Sequence, residues 1–271
     1  MKLPRLQPRR PDDRRKRLFN LPPVSVTTVL IVLCVLTYVA DRLSLRWYKP
    51  IIIIDGHETV AGPMSVVTAW GHFSAYFVLD LRQFWRYITF QFLHGSLMHI
   101  GFNMFVLYMF GPMIENYLGK RKFLSFYLLC GIGGGLMYLL LWKFDVLTVG
   151  KYTPLVGASA GIFGVLIAAA RLAPREEVLV FGVIPAKLRT VAIGLMAYAV
   201  ISLFTTEIVS GLTRVHLLTP ELAKLVLSIG SNAGGEAAHL GGAIAGFLLI
   251  LDPRLLSVFE FPMPREPAVK R

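Results

Sequence analysis

The chain has 271 residues, of which 55% are hydrophobic and only 16% charged, with a mean hydropathy of +0.61 and a formal net charge of +12. A water-soluble domain carries about 25% charged residues, so this composition excludes one and points to lipid. The basic excess does not make a nucleic-acid-binding protein either, because many Lys and Arg residues sit in tails and short loops between apolar blocks, where they act as topology signals.

Residues 1–23 form a basic tail with eight Lys and Arg before Leu18. The apolar block that follows resembles a signal peptide, but Asp41 and Arg42 close it without a small-x-small cleavage site, which predicts an uncleaved anchor helix. A hydrocarbon core of ~30 Å takes about 20 apolar residues as helix. Six stretches approach that length: 24–43, 89–114, 123–142, 154–170, 190–206 and 233–251. Cys34 and Cys130 each fall inside one of them, as core thiols rather than a disulfide pair. A seventh uncharged stretch, 60–79, carries Gly62, Pro63, Gly71 and His72 and is expected to be re-entrant or interfacial.

Six crossings place the N-terminal tail, Lys120-Arg121-Lys122, the loop 171–189 and the C-terminal tail on one side, together holding nineteen of the 28 basic residues. Both termini are therefore expected in the cytoplasm. A long outer loop from Ser44 to about Tyr87 then joins the first two crossings, with aromatics such as Trp70, Trp85 and Tyr87 suited to the interface. No internal repeat supports an inverted-repeat transporter. Residues 253–271, with four prolines, read as a flexible cytoplasmic tail.

Polar groups inside a span are costly, a central charge by ~3 kcal/mol on insertion scales, so they mark candidate functional residues. Here they cluster. The second stretch holds His94, His99 and Asn103, the fourth Ser159 and the sixth His239. These three stretches run in the same direction, from outside to inside, so residues near their starts share one depth. At 1.5 Å per residue, Ser159 lies ~7 Å beyond the entry signal Pro154, and His239 ~9 Å beyond Ala233. Serine and histidine can then meet near the outer face. Gly157 and Gly161 bracket the serine, while Gly242 and Gly246 follow the histidine, and such small-xxx-small pairs permit close backbone approach. Plain helix packing explains one such pair, but not a serine and a histidine at matched depth on two of them.

Gly157-Ala158-Ser159-Ala160-Gly161 also spells the Gly-x-Ser-x-Gly elbow of soluble hydrolases, which requires a strand before the serine. Its uncharged, membrane-length context excludes that reading. A metal site is disfavoured because His94 and His99 lack His-x-x-x-His spacing and a nearby carboxylate. His99 and Asn103, four residues apart on one helix face, suit an oxyanion hole instead. Glu236 stands one turn before His239 and is placed to orient it, although a glutamate at a helix mouth is ordinarily a solvated terminal charge. Glu115, at the end of its span, is most simply structural.

The set Phe84-Trp85-Arg86, His94-Gly-Ser-Leu-Met-His99-Ile-Gly-Phe-Asn103, Gly157-Ala-Ser159 and Ala238-His239-Leu-Gly-Gly242 resembles the rhomboid family of intramembrane serine proteases, over about residues 85–251. The resemblance implies an all-α, six-transmembrane-helix bundle with a long interfacial first outer loop. It also implies Ser159 as nucleophile and His239 as general base, a dyad without a catalytic carboxylate. Asn103, His99 and the Ser159 backbone N–H would bind the oxyanion. Trp85 and Arg86 resemble the family's structural signature in the first outer loop, and Gly119 with Arg121 its turn after the second helix. The family commonly has glycine directly after the serine; here it is Ala160.

The expected organisation is thus a basic tail (1–23), a membrane protease domain (24–252) and a C-terminal tail (253–271). The expected reaction is hydrolysis of a peptide bond in or near a transmembrane segment of a membrane-protein substrate, with no metal or organic cofactor. The rival is an inactive relative that binds transmembrane helices. A bare six-helix core suits a prokaryotic inner membrane.

Overall fold

The computed structural model describes residues 24–44, 51–54, 57–60, 64–147, 149–180, 183–215, 217–219, 221, 222, 224 and 233–259. The expected basic tail 1–23 and residues 260–271 of the expected flexible C-terminal tail lie outside them. In chain order the elements are α1 (Val26–Leu43), a hairpin of β1 (Ile51–Ile54) and β2 (His57–Val60), α2 (Val66–Gly71), a π-helical turn (Tyr76–Asp80) and α3 (Arg86–Thr89). There follow α4 (Leu97–Leu118), α5 (Lys120–Lys143), α6 (Ser159–Leu172), a hairpin of β3 (Glu177–Val180) and β4 (Ile184–Lys187), α7 (Leu188–Leu203), α8 (Thr205–Arg214) and α9 (Ala233–Leu251).

Helix α1 starts where Ser25 accepts from the Thr28 N–H, filling one orphan donor of the first turn. The Glu115 carboxylate takes others, accepting from Val26 N at 2.8 Å, Thr27 N at 2.9 Å, Thr27 Oγ1 at 2.8 Å and Ser25 Oγ at 3.0 Å. Four donors and the helix dipole offset the desolvation of a buried carboxylate, which is why Glu115 is structural. At the opposite end of α1, Arg42 donates to the carbonyls of His94 (3.3 Å) and Gly95 (2.7 Å), just before α4. These two clamps hold α1 and α4 antiparallel.

Among the described residues, α1, α4, α5 and α9 are each long and apolar enough to cross a membrane. The pair formed by α7 and Ile208–Arg214, bent by 55°, qualifies only if taken as one span. Helix α6 has 14 residues, about 21 Å at 1.5 Å per residue. Of the six crossings expected from sequence, four are thus complete as single helices. The stretch 60–79 does not form a spanning helix: α2 has six residues, about 9 Å.

Two predicted spans start later than their hydropathy. The stretch 89–114 is helical to Phe92, then breaks, and α4 begins only after Ser96, whose Oγ accepts from the His99 N–H at 3.1 Å. In the stretch 154–170 the helix begins at Ser159 itself. The residues before it are extended: Leu155 exchanges backbone bonds with Phe73 at 2.7 and 3.0 Å, and Gly157 N donates to Phe90 O at 2.9 Å. Non-helical backbone is tolerated at this depth because protein partners satisfy it. Gly157 has φ +140, which L side chains rarely adopt, so glycine is what ends the extended segment. Gly119, with φ +79, makes the expected turn between α4 and α5.

Arg86 and Trp85 tie the segment before α4 to the end of α2. Arg86 is buried and caps the end of α2, donating to Ala69 O at 2.9 Å and to His72 O, while its Nε donates to Gln83 Oε1 at 2.7 Å. Its guanidinium lies 4.0 Å from the Phe77 ring centroid, and Trp85 Nε1 donates to Trp70 O at 3.3 Å. Burial first, and the Arg86 charge with it, hold His72 down to about 4, against its bond to Thr68 O, so this ring is neutral at physiological pH.

The centre of the bundle is α5, α6 and α9 meeting backbone to backbone. A Cβ at Gly242 would stand 2.0 Å from the Ala160 carbonyl oxygen, one at Gly246 2.4 Å from Gly164 Cα, and one at Gly241 2.4 Å from Gly133 O. Gly242 and Gly246 therefore carry the contact expected of them. Gly161 does not, because its missing side chain makes room for the Tyr127 ring of α5, and the close backbone approaches of α6 to α9 are at Ala160 and Gly164. The Ala160 methyl is accommodated by Gly134 of α5, where a Cβ would come within 2.6 Å of it. Gly242→Ala is expected to lower stability by about 1–3 kcal/mol through overpacking against backbone. Thermal unfolding in detergent checks this against Gly194→Ala, where a new Cβ meets nothing within 4 Å and stability is unchanged or slightly raised. Equal effects of the two would refute the packing argument.

The first part of the supposed C-terminal tail is ordered. Pro253–Phe259 forms a 3₁₀ helix, and Leu256 is fully buried in the core with Ile250. Its apolar residues can dock against the bundle, whereas a proline count alone read them as tail.

Candidate active site

Ser159 is the first residue of α6, rather than one turn inside a helix begun at Pro154. Its hydroxyl consequently stands at the positive end of the helix dipole, where developing negative charge is favoured. His239 lies in the second turn of α9. The backbone contacts of Ala160 with Gly242 bring the two side chains together: His239 Nε2 and Ser159 Oγ are 2.8 Å apart. That is a hydrogen bond through which an imidazole can take a hydroxyl proton.

The His239 ring is held on a face and at both nitrogens. Phe163 of α6, one turn beyond the serine, stacks on it with centroids 4.2 Å apart and planes 6° from parallel. His239 Nδ1 is 3.0 Å from Glu236 Oε2. Neither contact is fixed by the sequence pattern. Phe163 looks like any apolar span residue, although its i+4 spacing from Ser159 was the available signal.

The pair opens into a cavity of about 510 Å³, whose walls include His99 and Asn103 from α4, Tyr138 from α5, Tyr198 from α7 and the segment 153–157. His99 and Asn103 therefore face the same space as Ser159, as their four-residue spacing predicts. Asn103 is buried, yet among the described residues its Nδ2 has no hydrogen-bond partner. A buried amide donor left unpaired costs about 1–3 kcal/mol, so it stands ready for an acceptor entering the cavity. The His99 ring packs over Gly157, where a Cβ would come within 2.8 Å of Nε2. Gly157 thus serves the site by giving room to His99 rather than by helix packing. His94 is buried beside His99, with ring centroids 5.1 Å apart, edge to face.

Residues 81–251 match the family described as Rhomboid domain. The chain is 29% identical over 155 residues to the presenilin-associated rhomboid-like protein, mitochondrial, of Homo sapiens, a match covering 57% of this chain and 34% of that protein. It is 33% identical over 156 residues to the presenilin-associated rhomboid-like protein A, mitochondrial, of Danio rerio, covering 58% and 34%. Against rhomboid protein 1, mitochondrial, of Saccharomyces cerevisiae it is 34% identical over 90 residues, covering 33% and 25%. The matches span about a third or less of these relatives' lengths. All three are mitochondrial by name and give no support to the expected prokaryotic membrane; what the spans and the family support is a membrane protein. The matched domain covers well over half of the chain and contains every residue of the cavity around Ser159 and His239, so the chain belongs to the rhomboid family.

Proposed function

We propose that this protein is an intramembrane serine endopeptidase that hydrolyses a peptide bond in or near the transmembrane segment of membrane-protein substrates. The observation that carries the reading is the 2.8 Å contact between Ser159 Oγ and His239 Nε2 at the edge of a cavity with an unpaired amide donor. In the first half-reaction Ser159 Oγ attacks the scissile carbonyl carbon while its proton passes to His239 Nε2. The C–N bond then breaks, His239 returns the proton to the leaving amine, and an acyl-enzyme remains. Water repeats the sequence in reverse roles and frees Ser159. Asn103, His99 and the Ser159 backbone N–H donate to the oxyanion.

The working topology is six crossings with both termini in the cytoplasm. Helix α6 then makes the fourth crossing together with the extended segment before it. The site needs no metal or organic cofactor for this chemistry. Ala160 is compatible with it, because Gly134 gives the extra methyl its room.

Purified protein in detergent is expected to cleave a transmembrane substrate and to be labelled on Ser159 by a fluorophosphonate, with the label located by peptide mass spectrometry. Wild type inert towards a panel of substrates and unlabelled would overturn the reading and favour a rhomboid-like protein that binds transmembrane helices.

A further inference from the structure

Two glutamates of the bundle are equally buried, each about 5% exposed, and their surroundings differ. Glu115 is satisfied by four donors at the start of α1 and is accounted for by structure alone. Glu236 lies in the first turn of α9, where a solvated acidic residue would be ordinary. Here it is about 5% exposed and lines the cavity beside Ser159, and among the described residues its hydrogen-bond partner is His239 Nδ1 at 3.0 Å. A carboxylate drawn largely out of bulk water needs a partner, and the bond to His239 supplies one.

The geometry of His239 shows what the bond does. An imidazole carries one proton when neutral, and the partner of one nitrogen decides which nitrogen holds it. A carboxylate can only accept, so Glu236 places the proton on Nδ1 and leaves the Nε2 lone pair towards Ser159 Oγ, 2.8 Å away. Phe163 fixes the plane of the ring, so both nitrogens stay aligned with their partners. His99, Tyr138 and Tyr198 line the same cavity, but none of them is bonded to Nδ1.

We infer that Glu236 is a positioning residue that completes a Ser159–His239–Glu236 triad, setting the tautomer of His239 and holding the imidazolium formed during catalysis. The inference rests on the serine-endopeptidase reading and replaces its two-residue dyad with a three-residue arrangement. The Nδ1 proton stays on the ring throughout: Ser159 gives its proton to Nε2, Nε2 passes it to the leaving amine, and Glu236 remains ionised while accepting from Nδ1. The i, i+3 spacing on one helix makes the arrangement local, since residues three apart stand one turn above another.

The test compares wild type with Glu236→Gln and Glu236→Asp in the full chain. In Glu236→Gln the side-chain amide can donate to Nδ1 and so drive the proton onto Nε2, the wrong nitrogen for a base. Loss of the orienting carboxylate costs about 10⁴ in kcat in soluble triads. Glu236→Gln is expected to lower kcat by about 10²- to 10⁴-fold with KM changed less than about threefold, and Glu236→Asp to recover part of that loss. Nitrogen-15 NMR of labelled histidine is expected to find His239 protonated on Nδ1 in wild type and shifted towards Nε2–H in Glu236→Gln.

An unchanged tautomer would overturn the inference, as would wild-type kcat in Glu236→Gln. A fall in kcat that only tracks a fall in Tm, with Glu236→Asp no better than Glu236→Gln, would also overturn it and leave Glu236 a structural residue. The NMR arm does not depend on cleavage. If wild type is inert but the tautomer moves as described, the endopeptidase reading fails while the Glu236 to His239 coupling stands.

Discussion

Ser159→Ala and His239→Ala are each expected to lower kcat by about 10⁴- to 10⁶-fold, and the double variant to be no slower than the worse single one. The reason is that the two groups act as one unit. Without the imidazole, Ser159 keeps a proton that no nearby base removes; without the hydroxyl, the base has no nucleophile to activate. Multiplying losses would mean that the residues contribute independently, which the 2.8 Å contact does not allow. Folding should survive both changes, since Ser159 and His239 are each only partly buried and the backbone contacts of Ala160 with Gly242 are untouched. The measurement is single-turnover cleavage of a transmembrane substrate in detergent, with thermal unfolding in parallel. Residual cleavage above about one part in a thousand in either variant would remove the proposed pair from the chemistry.

Asn103→Ala separates catalysis from stability. Removing one oxyanion donor costs about 10²- to 10³-fold in kcat, with KM nearly constant because the interaction forms as negative charge develops. Most buried polar residues are missed by the fold when removed, yet among the described residues the Asn103 amide nitrogen has no partner to lose. Its deletion relieves an unsatisfied donor, about 1–3 kcal/mol, against a smaller loss of packing. Thermal unfolding should therefore show Tm unchanged or raised while turnover collapses. Asn103→Asp should be slower still, because an acceptor then faces the oxyanion. A parallel fall of Tm and kcat in Asn103→Ala would make Asn103 a structural residue and leave the oxyanion role unsupported.

Much of the site was readable in the amino-acid sequence for specific reasons. His99 and Asn103 share a helix face because they are four residues apart, and His239 comes two turns into α9 because that helix runs uninterrupted from Ala233. Where helices were broken, depth counting failed. Ser159 was counted one turn into a helix from Pro154, but the extended residues 155–157 find their backbone partners in Phe73 and Phe90, far away in sequence. Hydropathy records that these residues are apolar and is silent about which carbonyl accepts from which N–H. The same limit hid the start of α4 at Leu97, where Ser96 supplies the cap inside a stretch that is apolar on both sides.

The glycines divide in the same manner. Gly242 and Gly246 form a pattern within one helix and were legible as a contact face. Gly133 and Gly134 of α5 lie in a run of small residues with no evident partner until α6 and α9 are seen to cross it. Gly161 fitted the small-xxx-small pattern yet faces Tyr127.

The sequence by itself determined that this is a membrane protein, which helices carry polar residues, and that Ser159 and His239 belong to one site, because composition, loop charge and helical spacing are local or additive properties. Only the tertiary structure decided what lies on each nitrogen of His239, which donor of Asn103 has no partner among the described residues, and that Glu236 is about 5% exposed and bonded to His239. Those are properties of side-chain distances of about 3 Å, within α9 and between it and its neighbours, or of access to water, and they are set only once α4, α5, α6 and α9 are packed.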